Sequence, residues 1–193
     1  MEPSPGAGAD RELMARLAAG DREALAGLME RHYRRVHRVA LAYLRQREDA
    51  LDVVQETFVK AFQNATRWDG SAEAGPWLAR IAVNLSIDRW RRNKRRLQTF
   101  APMPEGDHSE TLAVAAGDGP DRSLQGREAR DRVGAALAAL PERQRAVVVL
   151  RHYQELSLEE IAAALGMSLG TVKSSLHRAL HRMRAGLQGE ARS

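Results

Sequence analysis

The segment LSLEEIAAALGMSLGTVKSSLHRALHRMR, residues 156–184, decides the fold of the C-terminal part of the chain. Ser157 and Glu160 have the spacing of a capping box, in which each side chain satisfies an orphan backbone donor at a helix start. Gly166 supplies the left-handed residue that ends this helix, and Ser168 can cap the next one. A short capped helix, a tight turn and a second helix predict a helix-turn-helix, whose second helix can enter a DNA major groove.

The second helix of this unit has an apolar side and a polar, basic side. The residues predicted to face inward recur at helical spacing and are Val172, Leu176, Ala179 and Met183. The residues left on the outside, where DNA would lie, are Lys173, Ser174, His177, Arg178 and His181. An ordinary helical hairpin is the alternative interpretation of so short a motif.

The composition favours a helical protein with a polyanionic partner. The 193 residues carry a formal net charge of +5, which suits nucleic acid but indicates it only weakly. The absence of cysteine excludes disulfides, thiolate zinc sites and a cysteine nucleophile. No apolar run is long enough for a membrane span, and no secretion signal is visible at the start. We therefore expect a cytoplasmic protein without membrane insertion.

Helical periodicity also organises the N-terminal part. Asp10 and Asp21 are predicted to cap a short helix and a long one that reaches Leu44, with Gly20 between them. A third helix is expected from about Asp49 to Gln63. The stripe predicted to face inward on that helix consists of Leu51, Val54, Phe58 and Phe62.

A fourth helix is expected to start at Pro76, after a loop over residues 64–75, and to end in the run RWRRNKRR at 89–96. Four of its residues recur at intervals of four, three and four and share one face: Asn84, Asp88, Arg91 and Arg95. Guanidinium groups bind phosphates, and indole rings such as those of Trp68, Trp77 and Trp90 stack on unpaired bases. Distorted or single-stranded DNA is thus one interpretation; a solvated helix end, with Trp77 in the core and Asp88 paired along the helix, is the other.

Between the two helical parts the chain changes character. Residues 101–121 contain five acidic residues, no Lys or Arg, and several Pro and Gly, which is typical of a linker. The predicted fold is all-α, with two small helical domains, 10–98 and 124–187, joined by a flexible acidic linker at 99–123. The second domain contains the helix-turn-helix, preceded by a helix that starts at Pro141, and its apolar stripe begins with Val133, Leu137 and Leu140.

The third helix carries a different surface. The side predicted to point away from its apolar stripe holds Asp49, Asp52, Gln55, Glu56 and Lys60. An acidic patch repels DNA, so its functional interpretation is a protein-binding face, and plain solvation is the alternative.

Enzymatic and metal-binding interpretations find little support. The chain has no GxxxxGK[ST] loop and no GxGxxG after a strand. His177 and His181 are four residues apart, but no third ligand is near and the flanking residues are cationic. We predict no enzyme activity, no catalytic residues, no metal and no cofactor.

Both helical parts together resemble the extracytoplasmic-function (ECF) sigma factors, the smallest bacterial transcription initiation factors. The resemblance runs from Leu13 to Leu187. It is carried by DALDVVQETFVKAF at 49–62, PWLARIAVNLSIDRWRRNKRR at 76–96 and LPERQRAVVVLRHYQELSLEEIAAALGMSLGTVKSSLHRAL at 140–180. These segments look like the polymerase-binding helix, the helices that melt and read the −10 promoter element, and the domain that reads the −35 element.

The resemblance implies a role for each set of residues. Asp52, Gln55 and Glu56 would bind the clamp coiled coil of the polymerase β′ subunit, and the second domain would lie at the β flap. The −10 set would be Asn84, Asp88, Arg91, Arg92 and Arg95, and the −35 set Arg151, Lys173, Ser174, His177 and Arg178. Ser175 and His177 stand where relatives often carry other residues, so the base preference stays open. An anti-sigma factor is the further partner that the family implies.

The expected function is therefore a promoter-specificity subunit that directs core RNA polymerase to −10 and −35 elements. The first alternative is a stand-alone regulator that binds DNA as a dimer through the helix-turn-helix. That interpretation gives the acidic helix and the basic helix of the first domain no role. A helical protein-interaction module without a DNA role is the third hypothesis.

Overall fold

The computed structural model describes residues 7–68, 70, 73–99 and 124–189, and its regular elements in these ranges are all helices. The first half contains α1 (Ala7–Ala18), α2 (Arg22–Leu44), α3 (Arg47–Gln63), a single 3-10 turn (Ala65–Arg67) and α4 (Ala74–Thr99). The second half contains α5 (Leu124–Ala138), α6 (Glu142–Tyr153), α7 (Leu158–Leu165) and α8 (Leu169–Gly189). The all-α prediction is confirmed. The predicted linker at 99–123 lies outside the described residues, except for Thr99, which ends α4.

Helix α2 is the centre of the first half, where α1, α3 and α4 all pack against it. Asp21 caps it by accepting a hydrogen bond from the Glu23 backbone amide, and the helix ends at Leu44 as predicted. The side chains that α2 buries against its neighbours include Leu28, Val36, Val39 and Tyr43. This packing holds α3 and α4 side by side.

Three predictions for the first half were wrong. Asp10 lies inside α1 instead of capping it, and it is buried because it accepts hydrogen bonds from Arg31 and His32 of α2 at 2.6 and 2.8 Å. Leu51, expected in the core, is 39% exposed, whereas Val54 and Phe58 are buried. Helix α4 begins two residues before Pro76, which lies in its first turn.

The helix-turn-helix forms as the sequence predicts. Ser157 and Glu160 make both hydrogen bonds of the capping box, at 3.1 and 2.7 Å. Gly166 ends α7 with a φ of 62°, in the left-handed region, and Ser168 accepts from the Thr171 amide at the start of α8. These signals are local, since each of these hydrogen bonds joins residues three positions apart in the chain.

The second half packs around α6, which is buried on all sides over much of its length. The residues from Gln144 to Leu150 are all buried. Leu137 and Leu140 join this core, as predicted, while Val133 is 40% exposed. Helices α5, α7 and α8 each contact α6 or one another, and the outer face of α8 is left uncovered.

The two halves share one apolar core. Val36, Val39 and Tyr43 of α2 belong to the same buried cluster as Val147 and Leu150 of α6. Helix α6 contacts α2 and α4, and α7 also touches α4. None of the described helices is long and apolar enough to cross a membrane.

We expect Gly166→Ala to destabilise the protein by about 1–2 kcal/mol, because an L-residue pays roughly that in the left-handed conformation. No atom lies within 4 Å of the added Cβ, so the effect comes from the backbone alone. Urea denaturation of the full chain measures it. Gly170→Ala is the matched control, since Gly170 lies inside α8 and alanine favours a helix. Equal stability changes in the two variants would contradict the interpretation of the turn.

Candidate nucleic-acid interface

The outer face of α8 presents the predicted major-groove residues. Lys173, Ser174, His177 and Arg178 are all exposed on it. Arg178 donates from Nε to the Ser174 carbonyl at 3.2 Å, which aligns its guanidinium along the helix face. Val172 and Ala179 are buried on the opposite side, as predicted. The buried side of α8 packs against the core and thereby fixes the position of the exposed face.

Two further residues lie near this face. Ser175 is only 5% exposed and packs inward, so it does not lie on the outer face of α8. Arg151 is exposed at the end of α6, and its Nη1 donates to the Leu156 carbonyl at 2.7 Å. That bond ties Arg151 to the loop before α7 and leaves its remaining donors to face outward.

The second candidate face lies on α4. Asn84, Asp88, Arg92 and Arg95 are exposed there, and Asp88 pairs with Arg91 at 3.7 Å. Arg91 is half-exposed and also forms a two-point ion pair with Glu142 at the start of α6; its Nε lies 2.9 Å from that carboxylate. The pKa of Arg91 is raised, chiefly by the hydrogen bond to Glu142. The five predicted residues thus lie together on one helix, and one of them, Arg91, is bound to Glu142 of the other half.

The tryptophans beside this face are part of the packing. Trp77 is partly buried and packs against the core that the two halves share and against a smaller cluster of the first half, as the core interpretation expects. Trp68 packs against the smaller cluster, formed between α1, α2 and the start of α4. Trp90 is partly buried, and two cations lie over its ring: Lys94 at 5.2 Å and Arg145 at 5.0 Å. Trp90 therefore combines a cationic setting with proximity to the α4 face.

The outer face of α3 combines acidic and aliphatic side chains. Asp52 and Gln55 are exposed, and Glu56 is partly exposed and pairs with Lys60 at 3.5 Å. Leu51 and Val59 lie on the same side and are 39% and 47% exposed. Exposed aliphatic residues flanked by carboxylates are typical of a protein-binding surface and unsuited to DNA.

Asp49 does not lie on that outer face, although its helical spacing in the sequence predicted it there. It accepts hydrogen bonds from Arg89 and Asn93 of α4, both at 2.7 Å, and only 16% of its side chain is exposed. Arg89 also pairs with Asp52, and the pKa of Arg89 is raised, chiefly by its hydrogen bond to Asp49. Arg89, the first residue of the basic run at 89–96, thus joins α4 to α3.

A metal site finds no support in the described ranges. They contain no group of three His, Asp or Glu side chains able to hold an ion. His177 and His181 are both exposed on α8.

Comparison with protein families gives two matches that follow these helices. Residues 28–96 match the model of sigma-70 region 2, and residues 130–183 match that of sigma-70 region 4. The ECF RNA polymerase sigma factor SigW of Bacillus subtilis is 32% identical over 88% of this chain and 91% of its own length. SigM of Mycobacterium tuberculosis, also an ECF sigma factor, is 38% identical over 90% of this chain and 82% of its own.

The chain belongs to the ECF RNA polymerase sigma factors. Its function is that of a sigma subunit, and the matches do not favour the stand-alone regulator. Both matched regions are the regions that the sequence resemblance identified.

Solved structures of sigma factors have the same fold. CnrH, solved in complex with the cytosolic domain of CnrY, is 28% identical with a TM-score of 0.68 over 94% of this chain and 98% of that chain. The sigma factor RpoE of Bartonella quintana, solved with the anti-sigma factor NepR, is 25% identical with a TM-score of 0.62 over 79% of this chain and 89% of that chain. The helical arrangement of this sigma factor is thus shared with both.

Sequence analysis did not single out the residues that join the two halves of this sigma factor. Arg145 is 3% exposed and Gln154 is 1% exposed, and both contact α2 across the interface. One sequence signal was available: the run AVVVL at 146–150 is apolar all round, which indicates a helix covered on every side. The small second domain alone has too few helices to cover it.

We expect Asp49→Asn to cost more stability than Asp52→Asn. Asp49 is the less exposed carboxylate and accepts hydrogen bonds from two α4 side chains. Losing hydrogen bonds to a charged group lowers the free energy of unfolding by about 1.5–3 kcal/mol. Asp52 is 61% exposed, and such pairs contribute about 0–1 kcal/mol. Chemical denaturation of both full-length variants gives the ranking. The reverse order would show that Asp49 does not join α3 to α4.

Proposed function

We propose that this sigma factor binds core RNA polymerase through the outer face of α3 and holds the α4 and α8 faces on the −10 and −35 elements of a promoter. The observation that carries the proposal is the separation of surfaces. Two polar, basic helix faces lie in different halves of one chain, and a third face, on α3, is acidic and aliphatic. A protein that contacted DNA alone would have no use for the third.

The docking residues would be Asp52, Gln55 and Glu56, with Leu51 and Val59 as the apolar part of the surface. A partner that fits this face offers cationic side chains and an apolar strip. The family resemblance assigns that role to the β′ clamp coiled coil, with the second half at the β flap. The related sigma factor RpoE was solved in complex with the anti-sigma factor NepR, which supports an anti-sigma partner for this chain as well.

The α4 face would contact the −10 element through Asn84, Asp88, Arg91, Arg92 and Arg95. The exposed arginines would bind phosphate, and the asparagine amide has the geometry for an adenine edge. Unstacking a base costs a few kcal/mol, which these contacts would offset. On α8 the −35 set would be Lys173, Ser174, His177 and Arg178, with Arg151 on a neighbouring phosphate.

With domain boundaries at 10–98 and 124–187, the first domain would contact polymerase and the −10 element and the second would contact the −35 element. Residues 99–123 would connect them. Each face alone makes few DNA contacts and would bind weakly. Once both halves are held on polymerase, the second contact becomes intramolecular and the affinities combine through effective concentration. The chain would perform no covalent chemistry itself and would act in the cytoplasm, where the polymerase is.

We expect Asp52→Ala combined with Glu56→Ala to weaken binding to core polymerase at least about tenfold, or 1.4 kcal/mol. The reason is the loss of both carboxylates from the α3 face. Binding is measured by titrating labelled core enzyme with the full-length variant. Glu12→Ala combined with Glu30→Ala removes the same charge from exposed positions on α1 and α2 and serves as the control. Unchanged binding of the α3 variant would refute the docking face.

We expect Lys173→Ala combined with Arg178→Ala to abolish dependence on the −35 element while core binding stays intact. A good base contact contributes about 1–3 kcal/mol of discrimination, so the loss is tenfold or more. Holoenzyme transcription from a template with its −35 element intact or replaced measures the dependence.

The matched control is Arg132→Ala combined with Arg143→Ala, which removes two exposed cations of α5 and α6. An equal loss of −35 dependence in the control would mean that overall charge, and not the α8 face, governs binding.

A further inference from the structure

Helix α1 carries a buried acid that the proposed contacts with polymerase and DNA do not use. Asp10 is only 7% exposed. One of its carboxylate oxygens accepts from Nε of Arg31 at 2.6 Å, and the other lies 2.8 Å from Nε2 of His32. A buried carboxylate is costly unless such bonds satisfy it. These bonds therefore hold the first turn of α1 at one place on α2.

The His32 ring connects this contact to the start of α4. Its Nε2 lies against Asp10, and the neighbouring ring atom Cε1 is 3.5 Å from the point that a Cβ would occupy on Gly75. Nη1 of Arg35 lies 3.1 Å from the same point. Gly75 is buried in the first turn of α4. That turn therefore lies directly against two side chains of α2, and α1 holds one of them.

An apolar cluster joins the two ends of the segment between α3 and α4. We call it the α1 cluster; its buried members are Met14, Leu17, Ala24, Leu28, Ala65 of the 3-10 turn and Ala74, the first residue of α4. Helix α1 supplies Met14 and Leu17, which are two of the three large side chains among these members. Trp68, just after the 3-10 turn, packs against the same cluster.

Helix α1 is short and depends on these contacts. It has 12 residues, and isolated helices of that length are marginal in water. The 3-10 turn packs against α1 and α3, and α1 also contacts α4. Without α1, both ends of the segment would lose side chains on which they pack. The segment would then have to be ordered when DNA binds, and ordering lowers affinity.

The segment leads into the face proposed for the −10 element. Asn84 lies ten residues after Ala74 in the same helix, which is roughly 15 Å along the axis. Thr66 and Arg67 of the 3-10 turn are exposed. Because the helix is continuous over that distance, the contacts at Ala74 and Gly75 help to set where Asn84 lies.

We propose that α1 positions the −10 contact: Asp10, acting through His32, and the α1 cluster hold the 3-10 turn and the start of α4 in the arrangement that binds single-stranded DNA. This inference rests on the role proposed above for α4. Helix α1 is a positioning element, and none of its residues has to touch DNA. Its loss lowers the fraction of molecules competent to bind, and apparent affinity falls with that fraction.

Binding of single-stranded DNA to the holoenzyme tests the proposal. The probe is a fluorescent nontemplate strand that spans the −10 element of a promoter mapped with the wild-type holoenzyme. Asp10→Ala removes both contacts of the carboxylate, and we expect binding to weaken severalfold, up to about tenfold. Asp10→Asn keeps an oxygen for Arg31 and a polar partner for His32, so we expect it to restore most of the affinity. Core binding and −35 dependence stay unchanged in both variants.

A pair of leucine variants separates positioning from general stability. Leu17→Ala removes a side chain from the α1 cluster, and Leu137→Ala removes the same atoms from the core around α6. The two side chains are 2% and 3% exposed, so the pair is matched in burial. We expect Leu17→Ala to weaken probe binding and Leu137→Ala to leave it unchanged. Urea denaturation establishes that each variant is folded under the binding conditions.

Amide hydrogen exchange in the free, full-length chain reports the positioning without DNA or polymerase. The amides of Arg67, Trp68 and Trp77 donate to the carbonyls of Asn64, Ala65 and Glu73. We expect Asp10→Ala and Leu17→Ala to speed exchange at these three amides. Leu137→Ala serves as the control and should leave them as in wild type.

Three outcomes would overturn the proposal: unchanged probe affinity in Asp10→Ala, equal weakening by Leu17→Ala and Leu137→Ala, or unchanged exchange at the three amides. No recovery in Asp10→Asn would overturn the part assigned to the hydrogen bonds of Asp10. If no holoenzyme forms or no promoter can be mapped, the proposed function fails instead. The exchange measurement still decides in that case whether α1 positions the segment.

Discussion

One buried cation, Arg145, ties the two halves of this sigma factor together. Within the part of the chain that the structure describes, its guanidinium pairs with no carboxylate; it is held by backbone carbonyls of α2 and α5 and by the faces of two aromatic rings. Backbone carbonyls accept from its two terminal nitrogens, but Nε has no hydrogen-bond partner among the described residues and the charge is not neutralised, so Arg145 is a weaker anchor than its burial suggests. Arg145 is thus one of the contacts that hold α6 against α2, beside the apolar core that the two halves share.

A second interaction, between Asp49 and Arg89, organises the outer faces of α3 and α4. Asp49 and Arg89 fix α4 against α3, and this pair directs the outer sides of the two helices in different directions. One side becomes acidic and aliphatic, and the other becomes basic. A protein that must contact both a polymerase and DNA needs these charges kept apart, because a mixed surface would repel each partner in part.

The sequence was sufficient for features set by local chemistry. The capping box, the left-handed glycine and the two sides of α8 all follow from residues within a turn or two of one another, and they form as predicted. Assignments that depend on distant partners failed. Asp10 is buried because Arg31 and His32 lie on the next helix, and Leu51 is exposed because the inward stripe of α3 is narrower than its apolar spacing suggests. Asp49 is likewise positioned by partners on another helix, Arg89 and Asn93, which spacing alone does not reveal.

The family itself was recognisable because long motifs in both halves coincide, and the family models match the same regions. The most direct measurement is transcription in vitro with purified core RNA polymerase and this chain, followed by mapping of the RNA start sites on genomic templates. The account predicts new start sites that share two upstream sequence elements at a constant spacing, absent with core enzyme alone. Start sites identical to those of core enzyme alone would contradict it.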